Sequence, residues 1–153
     1  MEEDPETIAC WQRIGPRLTT SGKLEEADLD PLAKLGVTRV INLALADSPG
    51  ILTDEAERLE ALGIGYTHIP VPFEAPEEVH FTAFSAAMIE GRGEIIHVHC
   101  VANWRVSAFL YRWHHDVLGM DEAEARALME RQWTPETNKH KDAPAWARFI
   151  AGD

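Results

Sequence analysis

The sequence predicts an α/β domain: a small three-layer fold whose central, mostly parallel sheet of four or five strands is flanked by helices. Three observations predict it. Short β-rich runs alternate with single helix-like segments from residue 17 onward. No internal repeat, low-complexity tract or long Gly/Ser/Pro linker interrupts that alternation. Hydrophobic residues make up 45% of a 153-residue chain, enough for one ordinary core, so residues 1–153 are read as a single domain. Strands joined through single helices require parallel, right-handed crossovers, which cover both faces of the sheet.

The elements follow in order. RLTTSGK (17–23) reads as a short strand and turn. EEADLDPLAKLG (25–36) reads as a helix with Pro31 in its first turn, where no backbone donor is needed, and Gly36 as its stop. VTRVINLAL (37–45) is suited to a buried strand and is followed by a loop containing ADSPG. In TDEAERLEALG (53–63), Thr53 or Asp54 caps a helix with acidic residues in its first turn. Ala56, Leu59 and Leu62 form its apolar face, and Gly63 ends it. YTHIPVPF (66–73) is the next strand, EEVHFTAFSAAMIEG (77–91) the next helix, and EIIHVHC (94–100) a third β-rich run entering a turn. WRVSAFLYRWHHDVLG (104–119), MDEAEARALMERQW (120–133) and PAWARFIAG (144–152) close the chain as helices.

Composition narrows the function. The 26 acidic against 14 basic side chains give a formal charge of −12, which opposes attraction to nucleic acid or to an anionic membrane. An anionic substrate would therefore need a local positive site. The N-terminus MEEDPETIACW is acidic where a signal peptide would be basic and then apolar, so a cytoplasmic location is expected. Cys10 and Cys100 are too few for a disulfide framework or a thiolate zinc site, and nothing in their spacing supports a pair. His97 and His99 alternate along a strand, and His114 and His115 point to different sides of a helix. No metal or other cofactor is expected. Oligomeric state is not legible.

Chemistry concentrates at IIHVHCVANWRVSAF (95–109). In parallel sheets ligands bind outside the carboxyl ends of the strands, and Cys100 stands at such an end. A helix beginning near Asn103 or Trp104 turns its free N–H groups and its positive dipole end back toward the sulfur. The same amides, from Val101, Ala102, Asn103 and Trp104, can cradle a tetrahedral oxyanion, and the Arg105 guanidinium can grip two of its oxygens. The competing account makes Cys100 a small buried apolar residue and Arg105 an ordinary helix-start side chain.

His99, Cys100 and Arg105, followed by Ser107, resemble the signature of the cysteine-dependent protein tyrosine and dual-specificity phosphatases. RLTTSGKLEEADLDPLAKLGVTRVINLAL is similar to the opening segment of the small bacterial dual-specificity-phosphatase-like branch, and YTHIPVPFEAP to its strand before the general-acid loop. The likeness spans about Arg17 to Val117. One departure stands out: VANW places four residues between Cys and Arg where the family commonly has five. Ser107 keeps its usual place seven positions after Cys100, so the arginine alone has shifted and Val106 occupies its slot. Four residues is also the loop length of rhodanese-type sulfurtransferases.

The resemblance implies a tyrosine-phosphatase-like fold and a metal-independent phosphatase acting through a cysteinyl-phosphate. Its partner would be a phosphorylated protein or a small phosphoester. A non-catalytic phosphate-binding module and a sulfurtransferase are the alternatives. By the same resemblance, Ser107 hydrogen-bonds the sulfur, against a helix-start serine bonded to backbone. His99 braces the loop, against a satisfied core histidine. Family members supply a general-acid Asp after the third strand; PVPFEAPEEVH has none, so Glu74 is the candidate, with Glu77 and Glu78 in reserve. Asp47 could point into the site from the loop after VINL. Trp104, Trp133 and Trp146 could border the pocket, and Lys139, His140 and Lys141 could meet an anion, a solvated loop being the competing account.

Overall fold

In the computed structural model, which describes residues 3–48 and 50–152, the β-rich runs become strands of four residues each. Pro49, inside the ADSPG loop, Met1 and Glu2 of the acidic N-terminal stretch, and Asp153 lie outside the described residues. The strands are β1 (Gln12–Gly15), β2 (Leu18–Ser21), β3 (Arg39–Asn42), β4 (Gly65–His68) and β5 (Ile96–His99). They form one sheet in the order β1-β2-β5-β3-β4. All neighbours run parallel except β1, which is antiparallel to β2 at the edge. The sequence marks no strand at 12–15, because QRIG holds a single large apolar residue and draws its order from pairing with β2.

Among the described residues six α-helices flank the sheet: α1 (Leu29–Lys34), α2 (Glu55–Ala61), α3 (Glu78–Glu90), α4 (Trp104–Arg112), α5 (Glu122–Met129) and α6 (Ala143–Ala151). Three details depart from expectation. The segment 25–36 divides into a 3₁₀ turn at Glu26–Asp28 and then α1, with Pro31 still in the first turn of α1 and Gly36 at φ +88° ending it. β4 stops at His68 rather than running to residue 73, because the even spacing of the ladder is lost beyond it: Gly65 and Ile69 donate to the Thr38 and Asn42 carbonyls in step, but Val71 donates to Leu43. In α2 only Leu59 of the predicted apolar face is buried. Its buried neighbour one turn earlier is the carboxylate residue Glu55.

Adjacent residues of β3 serve opposite faces, as the period of a strand requires. Val40 packs with Leu24, Leu32, Leu59 and Ile64 beneath α1 and α2. Ile41 packs with Val98, Phe84, Phe109 and Trp146 beneath the helices of the other face. There the aromatic rings interlock: Phe84 meets Phe109 edge to face at 5.5 Å, an arrangement worth about 0.5–1.5 kcal/mol beyond the area it buries. β5 is buried along its whole length and lies between β2 and β3. Its carboxyl end therefore delivers Cys100 to the middle of the sheet edge where the loops gather. No helix among the described residues is long and apolar enough to cross a membrane.

Candidate active site

The loop after β5 is held from behind by the Ser21-Gly22 turn. Ser21 pairs with His99 across β2 and β5, and its carbonyl accepts the Cys100 N–H at 3.4 Å. Lys23 then donates its N–H to the Val101 carbonyl at 2.9 Å, while Gly22 donates to Ala9 at 2.7 Å. A Cβ on Gly22 would stand 2.5 Å from the Val101 oxygen, so the turn tolerates no side chain there. Asn103 supplies the left-handed residue that begins α4, at φ +65°. Asparagine tolerates this conformation, and its Nδ2 anchors the bend by donating to the Cys10 carbonyl at 2.9 Å and to Thr20 Oγ1 at 3.0 Å. Among the described residues, none of the N–H groups of residues 101–105 donates to a protein acceptor. They form the open amide cradle expected at a helix start.

The cradle opens on a cavity of about 330 Å³ lined by Ser48, Phe73, Cys100, Trp104, Arg105 and His140, with Val101 and Ala102 completing its wall. Arg105 reaches this cavity despite its early register. Its guanidinium carbon lies 5.4 Å from the centre of the Phe73 ring, and the residue is 9% exposed. Among the described residues no carboxylate pairs with it, and its buried Nε has no hydrogen-bond partner. Arg13, Arg39, Arg58, Arg112 and Arg126 by contrast all meet carboxylates within 4.0 Å. A buried, uncompensated guanidinium is costly unless an anion reaches it. Here the opening beside it leads to the thiol.

The other predicted residues divide. The Nδ1 of His99 faces the Cys100 carbonyl at 3.4 Å and its Nε2 the Glu55 carboxylate at 2.7 Å, His99 and Glu55 both being buried. Glu55 escapes sequence reasoning, since an acid in the first turn of a helix is ordinary. Ser107 does not bond the sulfur. Its Oγ donates to the Trp104 carbonyl at 3.2 Å and faces a small interior cavity with Gln12, Thr20 and Asn103, because a serine in a first turn finds a backbone acceptor three residues back. Glu74 is exposed and absent from the cavity wall; Phe73 turns inward in its place. Asp47 is likewise exposed, and Ser48 lines the wall instead.

Glu77 caps α3, and Glu78 is bound by Arg112 at 2.7 and 2.8 Å, which holds its carboxyl below the usual range. Trp104 does border the cavity, stacked at 4.6 Å on Trp133, whose indole N–H reaches the Trp104 carbonyl at 3.1 Å. Trp146 is core, and its indole N–H donates to the Phe73 carbonyl at 2.6 Å, fixing the residue that carries the ring. Both nitrogens of His97 are engaged, by Thr19 and Ser21 at 2.8 Å each. Burial, followed by the neighbouring His99, pushes His97 well below its ordinary range, so it remains neutral behind the loop.

No protein-family model matches the chain, and no curated protein matches it significantly. Solved structures do. A "putative phosphatase (DUF442)" from Shewanella putrefaciens CN-32 is 29% identical, with a TM-score of 0.80 over 95% of this chain and 88% of that one. Tk-PTP in its active form is 20% identical, with a TM-score of 0.71 over 93% of this chain and 96% of that one. P. aeruginosa TpbA, in complex with pTyr, is 16% identical, with a TM-score of 0.70 over 97% of this chain and 92% of that one. The last two likenesses are ones of fold. The sheet and helices described above are thus the tyrosine-phosphatase-like α/β fold that the sequence resemblance implied.

Proposed function

We propose that this chain, which has the tyrosine-phosphatase-like fold, is a cysteine-dependent phosphatase acting on phosphate monoesters. The observation that carries the proposal is Arg105: a buried guanidinium without a carboxylate partner among the described residues, opening on the same cavity as Cys100. The Cys100 thiolate attacks phosphorus while the P–O bond to the leaving group breaks, its electron pair passing to that oxygen. The free amides of residues 101–105 and the Arg105 fork stabilise the charge on the equatorial oxygens. Water then attacks the cysteinyl-phosphate, the S–P bond breaks, and inorganic phosphate leaves with the thiolate restored.

A phosphorylated protein or a small phosphoester is the proposed partner. A non-catalytic phosphate-binding module is the second reading, favoured by the outward placement of Glu74 and the backbone bond of Ser107. Aryl phosphate turnover separates the two. Wild type is expected to release phosphate, Cys100→Ser to release none, and Arg105→Ala to lose at least about 10²-fold in kcat/KM. Phosphate binding without turnover by the wild type would sink the enzyme and leave the binding module. Cyanide-dependent thiocyanate formation from thiosulfate, without phosphate release, would identify a sulfurtransferase.

A further inference from the structure

We propose that His140 is a catalytic residue of this site: its Nε2–H donates a hydrogen bond to the leaving-group oxygen, on the side of the cavity that Glu74 does not reach. The inference rests on the phosphatase reading and adds a group to it. Among the described residues, His140 is the only titratable side chain lining the cavity besides Cys100 and Arg105. Its position is at the mouth. His140 is exposed where Arg105 is buried, and the two approach the same Phe73 ring, His140 edge-on at 4.9 Å. The substrate's phosphoryl group belongs with Cys100 and Arg105 at the base, so its departing oxygen points toward the mouth.

The ring is held there in one orientation and one tautomer. The His140 backbone N–H donates to Asn138 Oδ1 at 2.8 Å, and the Asp142 N–H donates to His140 Nδ1 at 3.0 Å. A nitrogen that accepts from a backbone N–H carries no proton of its own, so the ring proton lies on Nε2. Nε2 has no protein partner among the described residues. Edge contacts to Phe73 and to Trp104, the latter at 6.3 Å, limit its rotation. A ring so fixed offers its Nε2–H as a hydrogen-bond donor. As the Sγ–P bond forms and the P–O bond breaks, the Nε2–H supports the charge gathering on the leaving oxygen, and solvent water supplies the proton that completes the alcohol.

The test compares two substrates whose leaving groups differ in their need for that support. Wild type, His140→Ala and His140→Gln are assayed on phenyl phosphate and on p-nitrophenyl phosphate, whose nitrophenolate is a stable anion. His140→Ala should lose about 10²-fold in kcat/KM on phenyl phosphate, the usual loss for one donor to a developing oxyanion, and only a few-fold on p-nitrophenyl phosphate. His140→Gln, which retains an N–H donor, should recover much of the difference, and inorganic phosphate should bind all three proteins equally. Equal losses on both substrates, or no loss by either variant, would overturn the assignment while leaving the phosphatase standing. Failure of the wild type on both substrates would instead remove the phosphatase itself, and this assignment with it.

Discussion

Arg105 and Asn103 shape a loop that leaves four residues between Cys100 and the arginine. Moving an arginine one place back along a helix turns its side chain by about 100°. Here that turn exchanges the slots: Val106 is wholly buried in the core, and Arg105 keeps the cavity. Asn103 makes the short loop possible by holding φ +65° while its amide ties the bend to Cys10 and Thr20. Asn103→Gly should therefore keep the backbone but lose those two bonds. Asn103→Ala should lose both and add strain of about 1–2 kcal/mol, so its thermal midpoint should fall below that of the glycine variant. Equal midpoints would mean that the left-handed geometry is unimportant. Cys100, Arg105 and Asn103 were legible in the sequence because strand end, helix start and backbone tolerance are local properties. Ser107 was not, since a hydroxyl chooses between sulfur and a carbonyl three residues back by geometry alone. His140 lay in a visible cluster of cations, but only the fold brings residue 140 to residue 100.

At the scale of elements, the Ser21-Gly22 turn and α2 support the loop from two sides. The turn explains its own sequence: a side chain at position 22 would bring its Cβ within 2.5 Å of the Val101 carbonyl oxygen. Gly22→Ala should displace the loop, costing about 1–3 kcal/mol in chemical denaturation together with most of the activity. Full activity at wild-type stability would show that the loop is not anchored there. From α2, Glu55 reaches the His99 imidazole, and Glu55→Ala leaves a buried ring nitrogen unpaired at a cost of about 1–3 kcal/mol. That variant should lose stability even though it removes no apolar contact of Leu59. An unchanged urea midpoint would deny Glu55 its role. Element order was largely legible from the alternation of β-rich runs and helices. β1 and the length of β4 were not, because pairing at an edge and a change of register between neighbouring strands leave little apolar signal.

Across the whole molecule the formal charge is −12, and among the described residues five of the ten arginines meet carboxylates, whereas Arg105 beside the open amides does not. Acid stability follows from the buried imidazoles. Burial first, and His99 second, lowers His97, and burial lowers His114. Both are neutral in the fold but take up protons in the unfolded chain below about pH 6.5. Their stabilisation is thus complete above that pH and declines as pH falls toward their depressed folded values, by up to about 1.4 kcal/mol per pH unit for each group. Urea midpoints measured from pH 8 to pH 5 should drop in that window, and His97→Gln should flatten the drop; a level profile in the wild type would contradict it. The central claim is that Cys100 and Arg105 act together on phosphorus. The most direct measurement is mass spectrometry of protein acid-quenched during turnover of an aryl phosphate. A phosphoryl group on Cys100, missing from Cys100→Ser and depleted in Arg105→Ala, is the predicted result; turnover that persists in Cys100→Ser with no phosphorylated thiol would contradict it.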